Sequence, residues 1–465
     1  MKDIFKFRKL SNRQVEDALD RLDAEGIAMH SLLVAYKDEV IAERYYAPFK
    51  RDELHRMYSV TKSINAIGIG ILLKKGLISL DDRLPSIFPS LITEETDERV
   101  TRTSIRDLLM MKSPYSKTCY KTGAKNGNNV STYQKDWVAS FFYSKCDHEP
   151  GMFFSYDTGA ATVLAKIIEV VSGKSYIEFL KEELFSKLSI SESTYVLSDP
   201  VGNPQGGSGI MMRPIDLLKV IYLLKEGGLG IIDKTYIDEA VAPLSDTTIA
   251  SLSNMRERRM GYGYQIWCTG DGSYAFVGLG GQFALAVPDR AMVFVTTADT
   301  QVYDPYSSLI LKTLISLSHT IDPSDEVVPK ERRVTSLKNG RTAESGDLSF
   351  IMDDNSLDIS RVRLHTERSG GLIAIIKGGV EESYPFLFGE NEEIAIREKT
   401  SSPALSSAAL NSDGTLSVWI QFIGECQGGL TFEIAMKEDL LSMRMRLYGE
   451  LMFDGYSGVL NGRRA

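Results

Sequence analysis

The chain has little cysteine, little histidine and no surplus of positive charge, and each shortage excludes a class of function. Its four cysteines, Cys119, Cys146, Cys268 and Cys426, are scattered over 465 residues with no C-x-x-C pair. That argues against a disulfide scaffold or a zinc ribbon and fits reduced thiols in a cytoplasmic protein. His30, His55, His148, His319 and His365 are isolated, and His148-Glu149 has no second histidine at metal spacing. No metal site and no cofactor are indicated. With 53 Lys and Arg against 62 Asp and Glu, the net charge is −9, which argues against a nucleic-acid partner. The first residues, Met1 to Lys9, hold no apolar core of signal-peptide length. Lys74-Lys75 ends the longest apolar run well short of a membrane span. The expectation is a cytoplasmic protein without a membrane partner, acting on small or soluble substrates.

Familiar catalytic signatures are missing too. No Gly-x-Ser-x-Gly elbow exists, which weakens an α/β-hydrolase reading. Gly173-Lys174-Ser175 imitates the end of a phosphate loop, but Ile168 stands where the first glycine belongs.

What is present is one Ser-x-x-Lys tetrad, Ser59-Val60-Thr61-Lys62; no other serine has a lysine three places on. Apolar residues at 64, 67, 71 and 72 mark one face of a following helix. The tetrad therefore sits on the first turn, where side chains three apart share a face, so Ser59 Oγ and Lys62 Nζ can meet. Free N–H groups and the positive dipole end at a helix N-terminus favour a developing oxyanion. The alternative is an N-cap serine and a surface lysine.

Two further segments carry chemistry. Pro150-Gly151 through Gly159 reads as a turn followed by a helix start, with Tyr156 at the junction, where a phenol can reach into a cleft. Alternatively, Tyr156 packs with Phe153 and Phe154. Val277-Gly278-Leu279-Gly280-Gly281-Gln282 lies between two strands; its glycines allow close approach, and an edge strand offers N–H groups to a carbonyl oxygen. Alternatively, it is a glycine-rich hairpin turn.

The length favours two domains. Residues 11–24 read as an amphipathic helix and Ser31 to Tyr46 as a β-hairpin. The stretch from 59 to about 228 is mostly helical: Ser104-Ile105 starts one helix, Tyr156 to Val171 and Ser175 to Leu188 give two more, and Pro214 opens another. Strands return at Gly261–Trp267, Tyr274–Val277, Phe283–Val287 and Met292–Thr296, before a helix over roughly 304–318. The simplest assembly is one antiparallel sheet, with the terminal helices on one face and the helical insertion on the other. This gives a domain over 1–320, a polar linker over 321–330 and, from its short alternating runs, a small antiparallel β-domain or barrel over 331–465.

Taken together and in this order, the three segments resemble the serine β-lactamase-like family, which includes β-lactamases related to penicillin-binding proteins, D-aminopeptidases, and esterases and amidases of the same fold. The likeness covers roughly residues 10–320 and extends to Gly76-Leu77-Ile78-Ser79-Leu80-Asp81-Asp82 and Ser104-Ile105-Arg106-Asp107-Leu108-Leu109. It implies an α/β (α+β) fold: an antiparallel sheet flanked by helices, with a helical insertion. It also implies that Ser59 is the acylated nucleophile, that Lys62 takes or relays its proton, and that Tyr156 is general base and then acid. The N–H groups of Ser59 and Gly281 would form the oxyanion hole.

Two departures from the family pattern bear on substrate. Thr158 stands where the second motif commonly has Asn, and Gly278 where the third usually begins with Lys or His. A hydroxyl lacks an amide's paired donor and acceptor, and a glycine offers no cation for a substrate carboxylate. Both argue against efficient β-lactam turnover. The Gly-x-Gly-Gly-Gln form looks more like the esterase and linear-amidase branch, in which Thr158, Gly278, Gly280 and Gln282 are candidate substrate contacts; Gln282 is equally readable as structural. Gly206-Gly207-Ser208-Gly209-Ile210 resembles the family's loop beside the cleft, or is a plain connection. The implied partner is a small ester or amide. The competing class is a non-catalytic ligand-binding or sensor protein on the same fold, which would need none of the proton chemistry of Ser59, Lys62 and Tyr156. Oligomeric state and the substrate's acyl and leaving groups have no signature in the chain.

Overall fold

The computed structural model describes residues 4–116, 135–249, 256–303, 305–337, 344–389, 392–395, 403–449 and 456–465. Cys119 lies outside them. A seven-stranded sheet forms the frame, in the order Lys6–Phe7, Glu39–Tyr45, Ala28–Tyr36, Met292–Asp299, Gln282–Val287, Ser273–Gly278, Trp267–Gly270. All its pairings are antiparallel except that of the short first strand with Glu39–Tyr45. N-terminal and C-terminal strands thus meet in the centre, where Leu33 opposes Val295.

Alternation along the strands decides which layer each side chain serves. Leu32, Val34, Leu285 and Phe294 face one side, against Val15, Leu19 and Leu22 of helix Arg13–Ala24 and Ile310, Leu311 and Leu314 of helix Pro305–Thr320. Leu33, Ala35, Ala284, Ala286, Val293 and Val295 face the other, against helices Val60–Lys74 and Pro214–Lys225. Helix Val60–Lys74 is buried almost all round. Gly68 lets it lie close to helix Thr158–Ser172, since a Cβ there would stand 2.6 Å from Ile168 Cδ1.

Local details differ from the sequence expectation in three places. Helix Thr158–Ser172 starts two residues after Tyr156, because the Asp157 carboxylate caps it by accepting from the Gly159 N–H. The Ser175–Leu188 stretch is helical throughout from Tyr176, but only Tyr176–Leu180 is α-helical; it widens to a π-helix over Lys181–Phe185 and tightens to a 3-10 turn over Ser186–Leu188. Gly261–Ile266 is not a strand. Gln265 sits at φ +57°, and its side-chain amide donates to the Leu108 and Leu109 carbonyls, so the chain bends until Trp267.

The C-terminal β-domain is a ten-stranded antiparallel sheet running from Val380–Leu387 at one edge to Glu392–Ala395 at the other. It curls into a near-barrel whose two ends approach at the Phe388–Ala408 bridge. Its interior holds Phe350, Val362, Ile373, Tyr384, Ile420, Phe432 and Met443.

The segment between the two sheets is tied down. Glu326–Val327 pairs with Ser11–Asn12, and Ala47 exchanges backbone bonds with Arg332 and Val334. The Arg332 side chain, 4% exposed, pairs with Glu16 at 2.9 Å, Asp20 at 2.8 Å, and Asp23.

Candidate active site

Ser59 opens helix Val60–Lys74 at the end of the short strand His55–Arg56. The turn between them is strained: Tyr58 has φ +46°, a left-handed conformation costly for a bulky side chain. Three contacts hold it. The Gln427 N–H donates to Tyr58 Oη at 3.0 Å, the Arg56 guanidinium lies 4.9 Å from the Tyr58 ring, and the Tyr58 carbonyl accepts from Thr61 N–H.

The Ser59 hydroxyl makes no capping bond, although it stands at the cap position. It accepts from Lys62 Nζ at 3.0 Å. Lys62 is 1% exposed and also donates to the Gly207 carbonyl at 2.6 Å. The Tyr156 ring centre lies 5.0 Å from Nζ. Burial lowers the Lys62 pKa from that of a free lysine, opposed by Tyr156 and the Asp157 charge.

Tyr156 is stacked on Trp267 at 5.7 Å and meets Tyr262 edge-on at 6.3 Å. Asp157 is buried and accepts from Ser113 Oγ at 2.8 Å. Its pKa is pushed up to about 6 by burial, against the pull of its Ser113, Gly159 and Ala160 hydrogen bonds and the Lys62 charge. Thr158, half-buried, turns its methyl toward Gly207: a Cβ at Gly207 would stand 2.2 Å from Thr158 Cγ2. Gly206 is equally confined, and its carbonyl accepts from Asn65 Nδ2 at 2.6 Å. The Gly206–Gly209 loop is thus wedged between the two helices that carry Lys62 and Thr158.

The third segment is the hairpin loop Leu279-Gly280-Gly281 between strands Ser273–Gly278 and Gln282–Val287. Gly278 touches the backbone two residues before Ser59; a Cβ there would stand 2.5 Å from the Met57 carbonyl. Gly280 and Gly281 have φ of +83° and +94°. The carbonyl of Gly280 accepts from Thr300 N–H and that of Gly281 from Thr296 Oγ1. Among the described residues, neither the Ser59 N–H nor the Gly281 N–H has a hydrogen-bond partner.

Gln282 is placed differently from an acyl contact. Its Nε2 donates to the Leu279 and Ala298 carbonyls and to Gln427 Oε1, and its Oε1 accepts from Ala298 N–H at 3.1 Å. Its amide therefore fastens the hairpin. His30 and His55, isolated in sequence, form a buried pair at 2.8 Å. The residues that sequence reasoning left out are Gly207 as a partner of Lys62, Asp157 as its neighbour, Trp267 behind Tyr156, and Gln427. Asp157 had a readable signal, an N-cap carboxylate beside the tyrosine; the others depend on long-range contacts.

A model of the Beta-lactamase family matches residues 12–309, a span that holds every one of these groups except Gln427. The chain belongs to the Beta-lactamase family. A curated relative in Paenarthrobacter ureafaciens, 6-aminohexanoate-dimer hydrolase, is 24% identical over 278 residues, 56% of this chain and 69% of that protein. Among solved structures, the octameric penicillin-binding protein homologue of Pyrococcus abyssi matches with a TM-score of 0.53 at 16% identity, over 97% of this chain and 99% of that one. EstCE1, described as a hydrolase with promiscuous acyltransferase activity, matches with a TM-score of 0.52 at 17% identity, over 65% of this chain and 97% of that one. At these identities the solved structures establish the fold, and the first of them extends the likeness across the C-terminal β-domain. Among the described residues, no helix is long and apolar enough to cross a membrane.

Proposed function

We propose that this Beta-lactamase family member is a serine hydrolase that cleaves an ester or amide bond of a small molecule or peptide through an acyl-enzyme on Ser59, with little turnover of β-lactams. One observation carries the reading: a buried lysine, its charge disfavoured by desolvation, stands 3.0 Å from a serine hydroxyl that has no capping role.

In the reaction, the Ser59 proton passes to Lys62 in its neutral amine form, the form that burial favours, directly or through the Tyr156 hydroxyl, as Oγ attacks the substrate carbonyl carbon. The carbonyl oxygen, now negative, is received by the N–H groups of Ser59 and Gly281. Collapse breaks the bond to the alcohol or amine, which leaves with the proton returned through Tyr156. Water then repeats the sequence on the ester at Ser59 and releases the acid. The Trp267 ring and the Asp157 cap fix where the Tyr156 phenol lies. Removing one of two oxyanion donors typically costs about 10²–10³ in kcat, so both segments matter.

Gly278 carries no cation for the carboxylate of a β-lactam, and Thr158 spends its methyl face on Gly207. The names of the relatives, a dimer hydrolase and a hydrolase with acyltransferase activity, fit acyl transfer on this frame. The test is turnover of a nitrophenyl ester and of a chromogenic cephalosporin. Ester hydrolysis that disappears in Ser59→Ala, with cephalosporin turnover far slower, is expected. Cephalosporin turnover at or above the ester rate overturns the substrate assignment.

A further inference from the structure

The loop Ile423–Gln427 of the C-terminal β-domain lies beyond the family match, yet it reaches the turn that carries Ser59. Two anchors fix it. The Glu425 carbonyl accepts from the Arg56 guanidinium, and the Glu425 carboxylate accepts from Tyr195 Oη at 2.6 Å. Arg56 also donates to the Ser208 carbonyl at 2.7 Å, linking the loop to the Gly206–Gly209 segment.

Gln427 is the buried tip. Its backbone N–H donates to Tyr58 Oη at 3.0 Å. Its side-chain Oε1 accepts from Gln282 Nε2 at 3.2 Å, and its Nε2 stands 3.0 Å from His55 Nε2. His55 Nδ1–H donates to the Arg56 carbonyl at 3.0 Å, so the single lone pair of Nε2 accepts from His30 Nδ1–H, and the Gln427 amide nitrogen, 3.0 Å from Nε2 and 3.2 Å from Nδ1, lies against the face of the His55 ring. Gln282 directly follows Gly281, and His55 and Tyr58 lie on the strand and turn that end at Ser59. One amide thus spans the two chain segments that supply the two oxyanion donors.

We propose that Gln427 is a positioning residue that sets the separation of the Ser59 and Gly281 N–H groups, so that the C-terminal β-domain completes the oxyanion hole from behind. The inference rests on the serine-hydrolase reading of this site. It requires an amide at this position: the acceptor end takes a hydrogen bond from Gln282 on the Gly281 side, and the N–H₂ end lies on the face of the His55 ring on the Ser59 side. A methionine has similar volume and neither group.

The experiment compares wild type with Gln427→Met and Gln427→Glu in the full chain. It measures kcat and KM for a nitrophenyl ester, the Kd of phenylboronic acid as a tetrahedral-adduct former, and Tm. Expected for folded Gln427→Met is a kcat lower by roughly ten- to a hundredfold, the range for misplaced catalytic groups. KM should stay within about twofold, because substrate binding does not use this contact, and boronate affinity should fall with kcat. Gln427→Glu keeps the acceptor toward Gln282 and should recover part of the loss. Unchanged kcat in folded Gln427→Met, or a loss confined to KM, overturns the proposal while the Ser59 reading stands. If neither variant folds, Gln427 serves stability alone and the proposal falls. Wild type without turnover or boronate binding refutes the hydrolase reading and this inference with it.

Discussion

The Gly207 carbonyl lies 2.6 Å from Lys62 Nζ and takes one of the ammonium's three protons. That contact exists because residue 207 has no side chain: the methyl of Thr158 occupies the space a Cβ would need. Gly207→Ala should therefore push the loop off Lys62, lower kcat at least tenfold and lower Tm. Thr158→Ser in the same chain removes the obstructing methyl and should restore much of both. Steady-state kinetics and thermal melts of the single and double variants check this; no recovery in the double variant contradicts it.

Lys62 is held without solvent, at a cost to its charged form. Lys62→Met keeps most of the buried volume and removes the amine. We expect kcat to fall by about 10²–10⁴-fold, as for loss of a general acid–base group, while Tm holds or rises. Retained turnover would contradict the role of the amine.

Asp157 titrates at about 6 in the folded protein, against 3.8 for a free aspartate. Between those values the folded state binds more protons than the unfolded one, so this group's contribution to stability declines as pH rises through the window. Asp157→Asn removes the titration, so the Tm of the variant relative to wild type should climb from pH 4 to pH 7. It also removes a negative charge that supports the Lys62 cation, so the acidic limb of kcat/KM should move to lower pH. A Tm difference independent of pH contradicts the assignment.

The fold and the site were legible to different depths. Ser59 and Lys62 were readable as neighbours because a helix turn puts side chains three apart together, which needs no tertiary knowledge. The central strands were readable as the runs Leu32-Leu33-Val34-Ala35 and 283–287, which are apolar at every position. Gly261–Ile266 misled because its alternation looks like a strand, while contacts of Gln265 with Leu108 and Leu109 bend it. Gln282 was open to two readings in sequence; its partners at Ala298 and Gln427 are distant in the chain and place it in the hairpin's support. The His30–His55 pair was invisible for the same reason, since nothing local in either segment reports the other.

Arg332 should be costly to remove. It and Glu16 are both 4% exposed, and Glu16 lies on the first helix while Arg332 follows the helix that closes the sheet domain. Arg332→Ala leaves a buried carboxylate without this partner, although Arg44 Nε remains 2.8 Å from it. We expect a loss of about 3 kcal/mol, the low end for breaking a buried pair, read from the denaturant midpoint. A loss below about 1 kcal/mol would mean that the pair behaves as a surface bridge.

Every step of the proposed reaction requires acylation of Ser59. Its most direct test is intact mass after incubation with a fluorophosphonate, followed by peptide mapping, for wild type and Ser59→Ala. One adduct per wild-type chain, located on Ser59, and none on the folded variant is the expected result. No adduct on folded wild-type protein, or an adduct that persists in Ser59→Ala, would contradict it.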